Sequence, residues 1–208
     1  MNHFLLFDLD GVLVDYDFDF YYFLFEEYGI LKDQFEDFFY NGFTDTFSGM
    51  HSVHRELKKY LVKWNLKDDE NISKKIINRW FELKIMPRLK LIDRVLSLKS
   101  ENIVICIATN QCKERLNQIF NELDFVKEFD FIFASCNIGF SKPEHEYYDN
   151  IYKNLQMTYP SLKAKKQVFF TDDSMQNVIG AKKYGFIAHL YSSETDCINR
   201  LEKFCKQK

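Results

Sequence analysis

Long hydrophobic runs are missing from this 208-residue sequence, and no segment has the length of uninterrupted apolar residues that a bilayer-spanning helix needs. The apolar start is broken at Asp8 and carries no basic leader, so it does not read as a signal peptide. Cysteine is sparse: five residues, an odd number, with no Cys-x-x-Cys pair. That pattern reads as reduced thiols in a cytoplasm rather than as a disulfide framework. Charge of one sign is also lacking, since 28 Lys and Arg stand against 31 Asp and Glu for a net charge of -3 and a pI near 6.0. Such a balance gives no reason to expect a nucleic-acid partner or an anionic membrane surface. Internal repeats and low-complexity stretches are absent as well. What remains is a chain that is 46% hydrophobic and long enough to bury one full core plus a small accessory unit.

The most informative segment is Phe4-Leu-Leu-Phe-Asp-Leu-Asp-Gly11. Phe4 to Phe7 form a short apolar run, the pattern of a buried strand. Asp8 and Asp10 follow where that strand should end, and Gly11 marks a sharp turn directly after them. On a continuing strand the two carboxylates would point the same way. Two close carboxylates repel, and a cation is the simplest reason to keep both ionised. Oxygen ligands point to Mg²⁺, a hard cation usually held by one or two carboxylates plus a substrate phosphate.

Four further apolar runs follow. Residues 102–109 end in Thr109-Asn110-Gln111, where a hydroxyl and an amide are suitable neutral donors to phosphate oxygens. Leu116, Ile119, Phe120 and Leu123 then recur with helical period. Phe131 to Ala134 lead into Gly139-Phe-Ser-Lys-Pro-Glu144. Ser141 and Glu144 have capping-box spacing with Pro143 in the first turn, which predicts a helix start that places Lys142 where an anion is favoured. Gln167 to Thr171 end in Asp172-Asp173-Ser174, followed by a helical pattern through Val178, Ile179 and Ala181 that stops at Gly185. Phe186 to Leu190 make the fifth run. Alternation of strand and helix predicts a parallel sheet with right-handed crossovers, and ligands in such sheets bind beyond the carboxyl ends of the strands.

Asp8-Leu-Asp-Gly-Val, Thr109-Asn110, Lys142-Pro143 and Asp172-Asp173 with Asn177 and Gly180-Ala181 occur in this order. The chain thereby resembles the haloacid dehalogenase (HAD) superfamily in its phosphatase branch, and the resemblance covers nearly the whole sequence. It implies an α/β, Rossmann-like, doubly wound core with the first strand between the motif-two and motif-four strands. It also implies a Mg²⁺-dependent phosphatase acting on a small phosphorylated metabolite. In that scheme Asp8 is the nucleophile that forms an aspartyl-phosphate, and Asp10 is the acid and base. Thr109, Asn110 and Lys142 bind phosphate. The metal is held by Asp8, Asp173 and the backbone carbonyl of Asp10, with Asp172 as a supporting carboxylate. Asn177 stands where many relatives carry another acid. A phosphomutase shares Asp10, whereas dehalogenases of this fold replace it; a binding module that merely keeps the fold would not need every one of these residues. The Tyr184-Gly-Phe186 ending and Thr109-Asn110-Gln111 also resemble sugar-phosphate phosphatases and the phosphatase domain of bifunctional epoxide hydrolases.

Residues 15–87 break the strand pattern and resemble the helical cap that many HAD phosphatases insert after the first motif, which leaves 1–14 and 88–208 as the core. Aromatics crowd this part: Phe18, Phe20, Tyr21, Tyr22, Phe23 and Phe25, then Phe35, Phe38 and Phe39. They are expected to fill the core of the cap rather than to contact substrate. Helices are predicted over 51–63 and from Ile72 to Leu83, with Lys67-Asp68-Asp69-Glu70 as a solvated loop. His51, Arg55 and Lys58 share a helix face, read as solvated. Asp15 and Pro87 mark the hinges. Phe7 and Val12 are read as structural, and Cys112 as a small neighbour of the site rather than a nucleophile.

Overall fold

The computed structural model describes residues 2–16 and 20–206, so Phe18 lies outside the described residues. In chain order, β1 (His3–Phe7) and β2 (Val14–Tyr16) precede α1 (Phe20–Tyr28), α2 (Lys32–Asp37), α3 (Val53–Lys63) and α4 (Glu70–Phe81). Then come β3 (Ile85–Pro87), α5 (Leu89–Leu96), β4 (Ile103–Thr109), α6 (Lys113–Glu122) and β5 (Phe131–Ala134). The chain closes with α7 (Ser135–Ile138), α8 (His145–Thr158), β6 (Val168–Asp172), α9 (Met175–Tyr184), β7 (Ile187–Leu190) and α10 (Glu194–Cys205).

Five strands form one parallel sheet in the order β5-β4-β1-β6-β7, with β1 between β4 and β6 as expected. Alternate residues of the central strands feed two separate cores. Leu5, Phe7, Ile105, Ile107 and Phe169 pack under α5, α6 and α10 with Leu91, Val95, Ile119, Leu201 and Phe204. Phe4, Leu6, Val104, Cys106 and Phe170 pack under α8 and α9 with Tyr147, Tyr148, Ile151, Val178 and Tyr184. Burial on both faces is why these strands read as unbroken apolar runs rather than as alternating ones. The fold class inferred from the sequence is therefore the one observed. No helix is long and apolar enough to cross a membrane among the described residues.

Helices α1 to α4 have a core of their own, in which Phe20, Leu24, Phe35, Phe38, Leu57, Leu61, Ile76 and Ile77 are buried. Cys112 joins that cluster from the start of α6 and so ties it to the sheet side. The chain enters and leaves this helical unit through β2 and β3, which pair antiparallel with Asp15 opposite Met86. The sequence reading had no strand there, because three residues are too few to show alternation. The Asp15 carboxylate meets the Arg88 guanidinium at 2.9 Å, directly beside this ladder.

Two other expectations are corrected. Residues 67–69 are loop as expected but Glu70 is not: α4 begins there, and the Asp69 side chain caps it by accepting from the Asn71 amide at 2.7 Å. The helix predicted from Ser141 begins instead at His145. Glu144 Oε1 accepts from the Ser141 amide at 2.9 Å and hydroxyl at 2.6 Å, while the Glu144 amide donates to the Ser141 carbonyl at 2.8 Å. The capping spacing thus closes a turn, and Lys142 sits in that turn rather than in a helical one.

Candidate active site

Asp8, Asp10, Thr109, Asn110, Lys142, Asp172 and Asp173 gather at the carboxyl ends of β1, β4 and β6. Asp8 follows β1 directly, and its amide donates to the Thr171 carbonyl at 3.0 Å. Leu9 then accepts three amides on one carbonyl, from Val12 (3.4 Å), Leu13 (2.9 Å) and Val14 (3.0 Å), which coils the chain tightly between β1 and β2. Gly11 lies in this coil at φ +78°, and a Cβ there would collide with the Asp173 carboxylate. Both the backbone and the close approach therefore demand glycine.

Lys142 is the centre of the site. Its Nζ lies 2.8 Å from Asp8 Oδ1, 2.7 Å from Asp172 Oδ2 and 2.9 Å from the Ala108 carbonyl, so three acceptors match its three protons. The side chain is only 1% exposed. Burial disfavours its charge, but the Asp172 and Asp8 carboxylates outweigh burial and hold the ammonium above its ordinary pKa. Asp172 is completely buried; its oxygens also accept from the Ser174 amide at 2.8 Å and from Asn177 Nδ2 at 3.0 and 3.2 Å. An amide at 177 donates where an acid would repel.

Negative charge remains in excess. Oxygens of Asp8, Asp172 and Asp173 lie within 4.8 Å of one another, against the single ammonium. Burial first, then Asp172, push the Asp8 carboxyl well above the usual range despite the pull of Lys142. Burial and Asp172 raise Asp173 in the same direction. A cluster of this kind is matched to a bound cation, which would reverse both shifts.

Asp10 is held apart from that cluster. The Tyr16 hydroxyl donates to one of its oxygens and Gln111 Nε2 to the other. Gln111 is buried and is itself fixed through Ser135, whose Oγ accepts the Gln111 amide at 3.0 Å. Sequence reasoning assigned no part to Tyr16 or Gln111. Gln111 had a signal, being next to Thr109-Asn110; Tyr16 had none.

Thr109 and Asn110 part company. The Thr109 Oγ1 is buried and makes no hydrogen bond, an orphan that a phosphate oxygen would satisfy. Asn110 instead spends its side chain on Lys142: Nδ2 donates to the Lys142 carbonyl at 2.9 Å and Oδ1 accepts the Lys142 amide at 2.9 Å. Both ends of the Asn110 side-chain amide therefore hold the lysine-bearing turn. His51 and Lys58 lie at 3.0 and 3.2 Å from Glu56 and Asp68, away from the cavity.

A cavity of about 850 Å³ opens above these groups, between the strand ends and the helical unit. Asp8, Asp10, Thr109, Lys142 and Asp173 line one side; Tyr21, Phe39, Phe43, Phe47, Trp80 and Phe81 line the other.

Fold and site together define a hydrolase built on a parallel sheet with a carboxylate-rich centre. The model of the haloacid dehalogenase-like hydrolases matches residues 4–185, and the chain belongs to that family. Among curated relatives, it is 29% identical to mouse bifunctional epoxide hydrolase 2 over 120 residues, covering 54% of this chain and 20% of that protein. It is 27% identical to the sesquiterpene phosphatase astK of Aspergillus oryzae over 116 residues, covering 55% of this chain and 56% of that one. The chain thus spans at most about half of the curated relatives it matches. A HAD family enzyme from Bacteroides thetaiotaomicron, solved with magnesium and inorganic phosphate, superposes with a TM-score of 0.70 at 22% identity over 92% of this chain and 95% of that chain.

Proposed function

We propose that this hydrolase is a Mg²⁺-dependent phosphatase of a small phosphate monoester, working through an aspartyl-phosphate on Asp8. The observation that carries this reading is Lys142, buried between Asp8 and Asp172 beside an unpartnered Thr109 hydroxyl. A cation, a hydroxyl donor and a nucleophilic carboxylate at one point are what a phosphoryl group requires. The name of the fungal relative and the phosphate in the bacterial structure support it.

Asp8 attacks phosphorus, and the P–O bond to the leaving alcohol breaks as Asp10 supplies that oxygen with a proton. Asp10, now a carboxylate, takes a proton from the water that attacks the aspartyl-phosphate, releasing phosphate and restoring Asp8. Lys142 supplies positive charge beside Asp8, and the Thr109 hydroxyl and the main-chain amide of Asn110 hold the phosphoryl oxygens. Tyr16 and Gln111 are positioning residues, because each binds one oxygen of Asp10. The donor set fits Mg²⁺, with Asp8, Asp173 and the Asp10 carbonyl as ligands and Asp172 in support; when bound, the ion neutralises phosphoryl charge and keeps Asp8 ionised.

In the same reading, residues 15–87 act as a cap on the core formed by 1–14 and 88–208, hinged at the β2–β3 ladder. A roofed cavity favours small esters over phosphoproteins and nucleic-acid ends. The five free thiols fit a cytoplasmic location. The test is phosphate release from a panel of monoesters with Mg²⁺ or with chelator. Turnover should require the metal and vanish in Asp8→Asn; wild-type-like rates in pure Asp8→Asn protein would refute the mechanism.

A further inference from the structure

The two sides of the cavity differ in what they offer a substrate. On the helical side the lining includes Tyr21, Phe39, Phe43, Phe47, Trp80 and Phe81, six rings facing a phosphate site. Phe39 is 39% exposed although it stacks on Phe43 at 5.7 Å and meets Trp80 edge-on at 5.9 Å. Trp80 in turn packs on Phe43 at 4.7 Å and Phe35 at 5.3 Å, so the wall is fixed before anything binds. In the π turn at Phe38–Gly42, Phe38 is fully buried in the helical core while its neighbour Phe39 lines the cavity.

Several polar groups on this side are already engaged. The Thr44 hydroxyl donates to the Asn41 carbonyl at 3.1 Å, and Asp15 is paired with Arg88. The Arg115 guanidinium donates to the Phe81 carbonyl at 3.1 Å and to Gln118 at 2.5 Å. Among the described lining residues Arg115 is the one cation away from Lys142; it is buried and donates to the Phe81 carbonyl and to Gln118, while Glu36 would repel a second phosphate. A sugar's hydroxyls would face mainly rings and lose more water contacts than Glu36 and Tyr40 could replace. An apolar chain would lose nothing and remove aromatic surface from water.

We propose that the aromatic wall is a binding site for an apolar alcohol moiety, so that the substrate is the monophosphate of an alkyl, alkenyl or aryl alcohol rather than of a sugar or nucleoside. This rests on the phosphomonoesterase reading above and narrows its substrate class. The phosphoryl group sits at Lys142 and Thr109, and the organic part lies along Phe39 and Trp80.

The experiment measures kcat/KM with Mg²⁺ for ethyl, butyl and hexyl phosphate and for glucose 6-phosphate. Each methylene should raise kcat/KM about fourfold, on the order of 10²-fold from ethyl to hexyl. Phe39→Ala should cut the hexyl-to-ethyl ratio about tenfold, and Phe39→Leu should restore most of it. A flat series, or glucose 6-phosphate equal to hexyl phosphate, would overturn the apolar site while leaving the phosphatase reading intact. Release of no phosphate from any ester would sink the phosphatase reading instead. In that event calorimetric binding of hexylphosphonate against ethylphosphonate decides the site: tighter hexyl binding supports it, and equal binding overturns it.

Discussion

On the sheet side of the cavity, Lys142 and Asp172 are buried and the ammonium lies within 2.8 Å of two carboxylates, whereas on the helical side Phe39, Trp80 and Phe81 present rings with exposed faces. The first side is a set of interlocked charges, in which moving one group strands the others. The second is a set of interlocked rings, whose individual members can change with graded effect. In the proposed reading, the groups that would transfer the phosphoryl group are held by mutual charge, and the rings that would select the alcohol are held by mutual packing.

Removing the central cation should have the largest effect. Lys142→Met leaves Asp8 and Asp172 buried side by side, and breaking a buried pair in this way costs about 3–5 kcal/mol. A melting temperature lower by on the order of 10 °C is expected for a chain of this size, together with loss of turnover. An unchanged melting temperature would show that the charges are not interlocked. Asp10→Asn comes next, with turnover down about 10²–10⁴-fold and stability near wild type, because the residue acts on protons. Substrates with good leaving groups should suffer less in the first step. A drop in metal affinity with no change in proton transfer would reassign the residue.

Thr109→Val probes a buried hydroxyl of the cavity lining that makes no hydrogen bond. Since its Oγ1 makes no hydrogen bond in the protein, stability should hold within about 0.5 kcal/mol, the range of neutral substitutions. Phosphate binding should weaken by about 10–100-fold, the worth of a hydrogen bond to a charged group. A large loss of stability would mean that the hydroxyl serves the fold. The smallest effect is expected at Cys112, where the two sides meet. Burial pushes its thiol up to about 12, so iodoacetamide at pH 8 should leave Cys112 unmodified in the folded protein while half-buried Cys205 reacts first. Rapid labelling of Cys112 would show that the helical unit opens away from α6.

The sheet and its site residues were legible in the sequence because each chemical group stands at the end of an apolar run, so that strand and site are read together. The coil after Asp8 was legible through Gly11 alone. Other features depend on partners far along the chain. Asn110 binds the backbone of Lys142, 32 residues away, and nothing local distinguishes that duty from phosphate contact. Ser141 and Glu144 satisfy a helix-capping pattern, yet the same two side chains close a turn. The aromatics of the helical unit were expected to be core, and many are; but Phe38 and Phe39 are adjacent and identical in type, and which of the two faces the cavity depends on how the helices pack.

The claim that Asp8 carries the phosphoryl group is tested most directly in the Asp10→Asn enzyme, which can be phosphorylated by an activated ester but lacks the base that clears the intermediate. Mixed with p-nitrophenyl phosphate and Mg²⁺, quenched in acid and digested, it should yield a phosphoryl group on the peptide containing Asp8, approaching one per chain, and none in the Asp8→Asn, Asp10→Asn double variant. Turnover without any label on that peptide, or label on another residue, would contradict the account.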